Sequence, residues 1–432
     1  MIRAYQKRLV FCLSLVIAFL QMHQMAGASG IEGKWNGQIR AQGSVAGYEK
    51  SHILDLTGNT GPFRDGALDA RLNGTLFVGD RLTFEAHYEA VLSGGQSREA
   101  LGELTRLIPG GAPLMGGPPS DDRRLFSLTH VISDDENRLM YHRLDRLSAT
   151  YTNDRITVRA GRQALTWGSG LVFNPMDLLN PFAPSDVIRD YKAGDDMLVI
   201  QGDYGPFSDL QLVYVPRRAP GTGNISNSAS SFAGKAQWTA LESDWDLLFS
   251  SHYEDTIWGV GMVRYIKDAA WRTDLTYTAM DGDISDGYFS AVTNLDYSWV
   301  WGGHNFYGLG EVYYNGLGRA NPMDALRDGD LQTRITRGDL FTLGKWYATG
   351  QIQFEAHPLV NIFLSTIVNL NDPSMLLQPR ITWDVLSSTR ILAGLDIPVG
   401  ADGTEYGGPI HAPTGKQVGA PLKGYIIATW YF

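Results

Sequence analysis

The chain of 432 residues has a single cysteine, Cys12, which lies in an apolar run near the N-terminus. Beyond that run there is no thiol at all. Structural disulfides, cysteine-ligated metals, haem attachment through CxxCH and thiol catalysis are therefore excluded together. Long hydrophobic runs are equally scarce. After Leu20 no stretch reaches the about 20 apolar residues that a helix needs to cross a bilayer. Basic charge is also short. The formal net charge is −10, and three of the 36 Lys+Arg lie in the leader, which has no acid, so the remainder is net −13. A nucleic-acid partner would need a basic face, and none is expected here.

The nine histidines show no metal-like spacing. His130, His142 and His252 lie near acids in sequence, but nothing identifies a nucleophile to complete a hydrolytic triad. No enzymatic activity and no cofactor are expected. The run Asp281-Gly282-Asp283-Ile284-Ser285-Asp286-Gly287 spaces its carboxylates as a calcium loop does. It lacks the glycine in place and the closing glutamate of an EF-hand, and is read as an outer turn.

What the chain does have is glycine (49), tyrosine (20) and tryptophan (11), with mean hydropathy only −0.16. Arg3, Lys7 and Arg8 precede the apolar run Leu9 to Leu20, and Ala26-Gly27-Ala28 forms an A-x-A site. Residues 1–28 are therefore expected to be a cleaved signal peptide, leaving 29–432 as one domain. Short segments of period-two alternation recur through that domain. Trp271/Thr273/Leu275/Tyr277/Ala279 alternates with Arg272/Asp274/Thr276/Thr278. Phe289/Ala291/Thr293/Leu295/Tyr297/Trp299 repeats the pattern with an aromatic at each end. Strands with one wet face and one greased face are the mark of a transmembrane barrel.

Seventeen such strands run from Ala67 to Phe432, and closure with an even number calls for one more between Ile31 and Gly66. The fold class is thus all-β: a transmembrane antiparallel β-barrel of about 18 strands, with 16 as the alternative count. Connection lengths test this independently. Gly79-Asp80, Asn153-Asp154, Gly205-Pro206, Glu242-Ser243, Asp268-Ala269, Trp301 to His304, His357-Pro358 and Ser387-Ser388 are all short. The long outer loops, 92–140, 164–194, 316–342 and 399–422, all fall at the other end. A soluble sandwich has no reason to sort its loops in this way. Within the first loop, Ser97 to Leu107 reads as a short helix with Ser97 as N-cap. Leu125 to Ile132 reads as a strand extended above the membrane. The region caps the pore mouth or forms a loose outer loop.

Two neighbouring strands carry Arg143, Arg146, Arg155, Arg159 and Arg162. Strict alternation turns Arg146 and Arg159 into the lumen, with Arg143 near the outer end, and Arg162 joins them if Gly161 permits a bulge. An arginine facing lipid at mid-membrane costs roughly 2–4 kcal/mol, so inward placement is favoured. The loop that follows, with Asn174-Pro175-Met176-Asp177 and Pro181-Phe182-Ala183-Pro184, is barred from helix and mid-sheet by its prolines. This loop and the strand after it carry Asp177, Asp186, Asp190, Asp195 and Asp196. Bases on one wall and acids on an inserted loop would set a transverse field at a constriction. The alternative is a salt-bridge ladder that only stiffens the wall.

The leader, the strand pattern, the loop asymmetry and the terminal strand ending on Phe432 resemble a Gram-negative outer-membrane porin-type barrel over essentially the whole mature chain. Gly161-Arg162-Gln163 with Trp167-Gly168, then Phe173-Asn174-Pro175 and Asp177, resembles a motif of poorly characterised porin-like barrels akin to the alginate-export type. The resemblance implies a location in the cell outer membrane, with membrane lipid and a small solute as partners. It also implies recognition by the barrel-assembly machinery through the strand that ends at Phe432. Passage of a solute or oligomer, passive or facilitated, would be the function. The acidic balance argues against a dedicated polyanion channel. The competing function is a closed or plugged barrel whose outer loops bind a partner.

Overall fold

The computed structural model describes residues 30–108, 117–188, 191–219, 221–281 and 286–432. Eighteen antiparallel strands close into a barrel. They are β1 (Ile31–Gly47), β2 (Phe63–Val78), β3 (Leu82–Gly95), β5 (Arg138–Thr152), β6 (Ile156–Gln163), β7 (Asp195–Tyr204), β8 (Phe207–Val215), β9 (Ser231–Ala240) and β10 (Ser243–His252). They continue as β11 (Asp255–Ile266), β12 (Ala269–Ala279), β13 (Gly287–Trp301), β14 (His304–Asn315), β15 (Trp346–His357), β16 (Val360–Asn369), β17 (Ser374–Leu386), β18 (Thr389–Val399) and β21 (Leu422–Tyr431). Each pairs with its sequence neighbour in the wall, and β1 pairs with β21 to close the ring. The short β4 (Thr129–Asp134) adds to the outer half of β5 only, while β19 (Ile410–His411) and β20 (Lys416–Gln417) form a separate hairpin in the last outer loop.

The eighteen strands and the even closure match the sequence reading, and the unassigned strand is β1. The strand read from Ala67, β2, begins at Phe63 instead, because residues 63–66 still pair with Gly43–Ala46. Every connection at one end is a tight turn. At 302–303 both residues are glycines at positive φ (60° and 82°), the geometry a two-residue hairpin demands. At the other end lie the long loops, so all of them start and finish at one end of the barrel.

Side chains alternate as the pleat requires. Leu198, Ile200, Leu212, Phe249, Trp258, Leu295, Trp383 and Trp430 are exposed on the outside, where lipid would cover them. Between them lie inward residues such as Gln211, Ser250, Asp274, Asn294 and Gln378, all buried. No helix among the described residues is long and apolar enough to cross a membrane; the strands do so instead.

The inner face is not uniformly polar. Met197, Val199, Val213, Val215, Leu248 and Ile257 point inward and are buried against Trp167, Met176 and Leu179 of the β6–β7 loop. That loop therefore lies inside the barrel. Each such apolar side chain removed from water contributes about 1.5–3 kcal/mol. Two smaller apolar cores hold the other outer loops in shape. One joins α1 (Gln96–Leu107) to a 3-10 turn at Ile53–Thr57, through Ala100 and Leu104 against Ile53, Leu54 and Phe63. The other holds α2 (Pro322–Arg327) and α3 (Gly329–Arg337) through Leu317, Ala325, Leu331 and Leu340.

Two local expectations are corrected. Ser97 does not cap α1. The helix starts one residue earlier after Gly95, and the Ser97 backbone N–H and hydroxyl bind Asp65 instead (2.9 and 2.6 Å). The strand expected at Leu125 to Ile132 begins at Thr129, because Asp121 accepts the N–H groups of Leu128 and Thr129 and holds the preceding segment as a turn. The long outer loop after β14 contains α2 and α3, capped by Asn321 and Asp328.

Candidate functional site

The β6–β7 loop (164–194) crosses the lumen and is fastened to strands all round the ring. Trp167 Nε1 donates to Gln211 on β8 at 2.7 Å. The backbone N–H groups of Ser169 and Gly170 donate to Asp274 on β12 (2.6 and 3.1 Å), and the Ser169 hydroxyl adds a third bond at 2.7 Å. Leu171, Val172 and Phe173 then donate their N–H groups in succession to Glu311 on β14, the shortest at 2.7 Å. Phe173 stacks on Tyr313 with ring centroids 4.5 Å apart. Further on, Gln378 on β17 donates to the Ser185 carbonyl at 3.0 Å, and Tyr191 lies under the Arg71 guanidinium of β2 at 4.1 Å. Two wall carboxylates thus hold five consecutive backbone N–H groups that a buried loop would otherwise leave orphaned.

The charged wall lies on β2, β3, β5 and β6. Arg71 bridges Glu89 (2.6 Å) and Asp145 (3.0 Å). Arg143 pairs with Glu89 through Nε and with Asp145 at 3.3 Å. Arg146 pairs with Asp145 at 2.9 Å, and its other Nη donates to the Lys192 carbonyl of the inserted loop. The bulge that brings these groups together lies between β3 and β5, at His87 and Tyr88, where Asp145 is the extra residue. Arg159 faces the lumen beside Thr150, to which its Nε donates at 3.1 Å. It forms no ion pair among the described residues.

Arg162 does not join that row. The β5–β6 and β6–β7 ladders run through Gly161 without a register break, and Arg162 lies opposite Asp196, out of phase with Arg159. The positive φ of Gly161 (120°) lets β6 close on Leu147, whose carbonyl a Cβ would meet at 2.2 Å. Arg162 is instead 1 % exposed under the 117–128 segment, bound to Asp196 and Asp121 (both 2.9 Å) and to the Phe126 carbonyl. The expected bulge at Gly161 is absent because the glycine accommodates close strand contact rather than an extra residue.

The loop acids are distributed differently from one another. Asp177 is buried and pairs with Lys192 of the same loop. Burial pushes the Asp177 carboxyl up to about 6 despite that partner, and lowers Lys192 from its ordinary value. Asp186 lies at the end of the loop close to Tyr425 of β21. Asp190 falls outside the described residues, as do the leader (1–28) and most of the calcium-like run at 281–287.

Sequence reasoning missed the anchors Asp274, Glu311 and Gln378 and the partners Arg71, Glu89, Asp145 and Lys192. One signal was available. The segments Met197 to Ile200 and Leu212 to Val215 are apolar on both faces, which a strand facing open water on one side would not be.

His252, singled out for its nearby acids, sits in a Ser231–His252–Asp339 chain (2.9 and 3.2 Å). The Ser231 hydroxyl also accepts from Arg217 Nη1 at 2.5 Å and is 2 % exposed. The chain ties the β14–β15 loop to the wall and presents no accessible nucleophile. No group of three or more metal-ligating side chains occurs among the described residues.

This architecture, a closed antiparallel 18-stranded barrel with a loop folded into its lumen, is that of outer-membrane porins. Solved structures similar to it include OccAB1 of Acinetobacter baumannii, at 10% identity over 94% of this chain and 98% of that chain, TM-score 0.52. OccK5 (OpdH) of Pseudomonas aeruginosa is similar at 9% identity over 94% and 99%, TM-score 0.53. Both are Occ/Opd outer-membrane porins; at these identities what is shared is the fold. No family model and no curated protein matches the sequence.

Proposed function

We propose that the protein is an outer-membrane pore for a small solute, with selectivity set between the arginine-bearing wall and the inserted loop. The carrying observation is how the loop is held. Asp274 and Glu311 are occupied by loop N–H groups, whereas Arg159 faces the lumen and forms no ion pair among the described residues. Arg143 and Arg146 lie along the same wall, and the loop opposite brings Asp177 and Asp186; Asp190 lies outside the described residues. With Asp177 largely matched by Lys192, the residual field favours anions over cations. Arg162 then acts indirectly, by fixing the outer end of β6 under its cap. Phe432 is proposed to present the terminal strand to the barrel-assembly machinery.

Reversal potentials of the refolded barrel in a planar bilayer under a salt gradient test this reading. Wild type is expected to conduct steadily with anion preference, and Arg159→Ala to lower that preference about two- to threefold. Steady conductance with unchanged selectivity in Arg159→Ala would retain the pore and remove the proposed filter. Correctly folded barrel that never conducts would favour the second reading. In that case, the outer loops, which build two apolar cores of their own, bind a partner over a closed lumen.

A further inference from the structure

A cluster of outer-loop residues away from the lumen wall has no role in the reading above. The β10–β11 hairpin turns at Tyr253, held at φ 53°. Three guanidinium groups from three other segments converge on its ring: Arg337 of α3 at 4.4 Å from the centroid, Arg217 beyond β8 at 4.8 Å, and Arg123 of the β3–β5 loop at 5.9 Å. Cation–π attraction is modest at exposed sites, and three like charges around one ring repel one another unless counter-charges are near.

Only one of the three is fully neutralised. Arg217 pairs with Asp195 at 2.9 Å. Arg337 reaches Asp255 only at 3.9 Å, and both Asp255 oxygens are already taken by Arg334 at 2.7 and 2.6 Å. Arg123 is exposed and makes no side-chain ion pair with a described residue. Arg123, Tyr253 and Arg337 line a cavity of about 380 Å³ that opens at the outer surface. The other lining groups include Ser228, Thr333 and Thr336, and among the described residues no aspartate or glutamate lines it.

We propose that this cavity is an anion site that takes a phosphate group. A planar carboxylate is satisfied by one guanidinium fork. Two forks approaching from different loops, with hydroxyl donors between them, suit a tetrahedral oxyanion that presents oxygens in several directions. The phosphate is borne either by a free phosphorylated solute or by the headgroup of an outer-leaflet lipid.

The test uses the full-length barrel refolded in detergent, with folding checked by heat-modifiable gel migration, and inorganic phosphate as probe in titration calorimetry. Saturable binding is expected, weakened at least tenfold by Arg337→Gln and at least fivefold by Arg123→Gln. Arg264→Gln, at the far end of the barrel, should leave binding unchanged. Arg123 is exposed, so its variant tests the site even if Arg337→Gln loosens α3.

Glucose 6-phosphate competing where glucose does not assigns the site to a free solute. Loss of phosphate binding in phosphatidylethanolamine proteoliposomes carrying phosphorylated lipid A, but not its dephosphorylated form, assigns it to a headgroup. The proposal is overturned by absence of saturable binding in folded wild type, by binding indifferent to both arginine variants, or by acetate competing as well as phosphate. None of these outcomes bears on conductance, so the pore reading stands or falls separately.

Discussion

Asp177 and Lys192 show what burial does to an ion pair. The pair is enclosed by the loop that contains it, and desolvation works against both charges at once. The Asp177 carboxyl is raised from an ordinary 3.8 to about 6, so the folded protein takes up its proton at higher pH than the unfolded chain does. Its contribution is therefore full below about pH 4 and is lost as pH rises through about 6. Thermal midpoints of wild type and Asp177→Asn, compared between pH 4.5 and 7.5, are expected to diverge in favour of wild type as pH falls. The gain is at most about 3 kcal/mol. A pH-independent gap between the two would contradict the assignment. Arg162 carries the opposite lesson. The alternation rule that turns Arg159 inward cannot place a residue at a strand end, where a segment 41 residues away in sequence supplies its partner Asp121.

At the scale of elements, the inserted loop depends on Asp274 and Glu311. Removing either carboxylate leaves buried N–H groups without acceptors, at about 1–3 kcal/mol for each orphan. Glu311→Ala is expected to release the first half of the loop, giving larger and noisier single-channel currents. Glu311→Gln, which keeps one carbonyl acceptor, should fall between it and wild type. Because both acids hold one segment, the Asp274→Ala/Glu311→Ala pair should lose less than the sum of the single changes. Quiet wild-type currents from Glu311→Ala would show that the apolar contacts of Trp167, Met176 and Phe173 suffice.

The strands themselves were legible from sequence, since period two is imposed by the pleat wherever one face meets lipid. The anchors were not. A lone inward acid on β12 or β14 looks like any lumen-facing polar residue until the loop that uses it is in view. The helices α2 and α3 escaped for another reason. They are too short for periodicity to register, although Asn321-Pro322 and Asp328 carried their capping signals.

For the whole molecule, closure rests on β1 meeting β21. At the seam Gly37 and Phe432 exchange backbone hydrogen bonds (2.9 and 3.0 Å), and the Phe432 ring lies against Trp35 and Trp430. A Cβ at Gly37 would sit 2.5 Å from that ring. Gly37→Val and deletion of Phe432 are each expected to cut the yield of heat-modifiable folded barrel severalfold in refolding from urea. Wild-type yield from both would show that the remaining β1–β21 ladder closes the ring unaided. The strand number, the even closure and the side on which long loops lie were all available from the sequence, because they follow from lipid and water rather than from particular contacts.

The inserted loop also has a history in the folding of the chain. It emerges between the fifth and sixth wall strands, yet its acceptors lie far downstream: Asp274 is 105 residues from Ser169, Glu311 140 from Leu171, and Gln378 193 from Ser185. Contacts of such separation form late, after the intervening chain has been ordered. The strands bearing those acceptors must be in place before the loop can come to rest, so the ring exists before its contents are fixed. A barrel newly closed is thus a wider hole than a finished one, and narrowing it is the last act of its maturation.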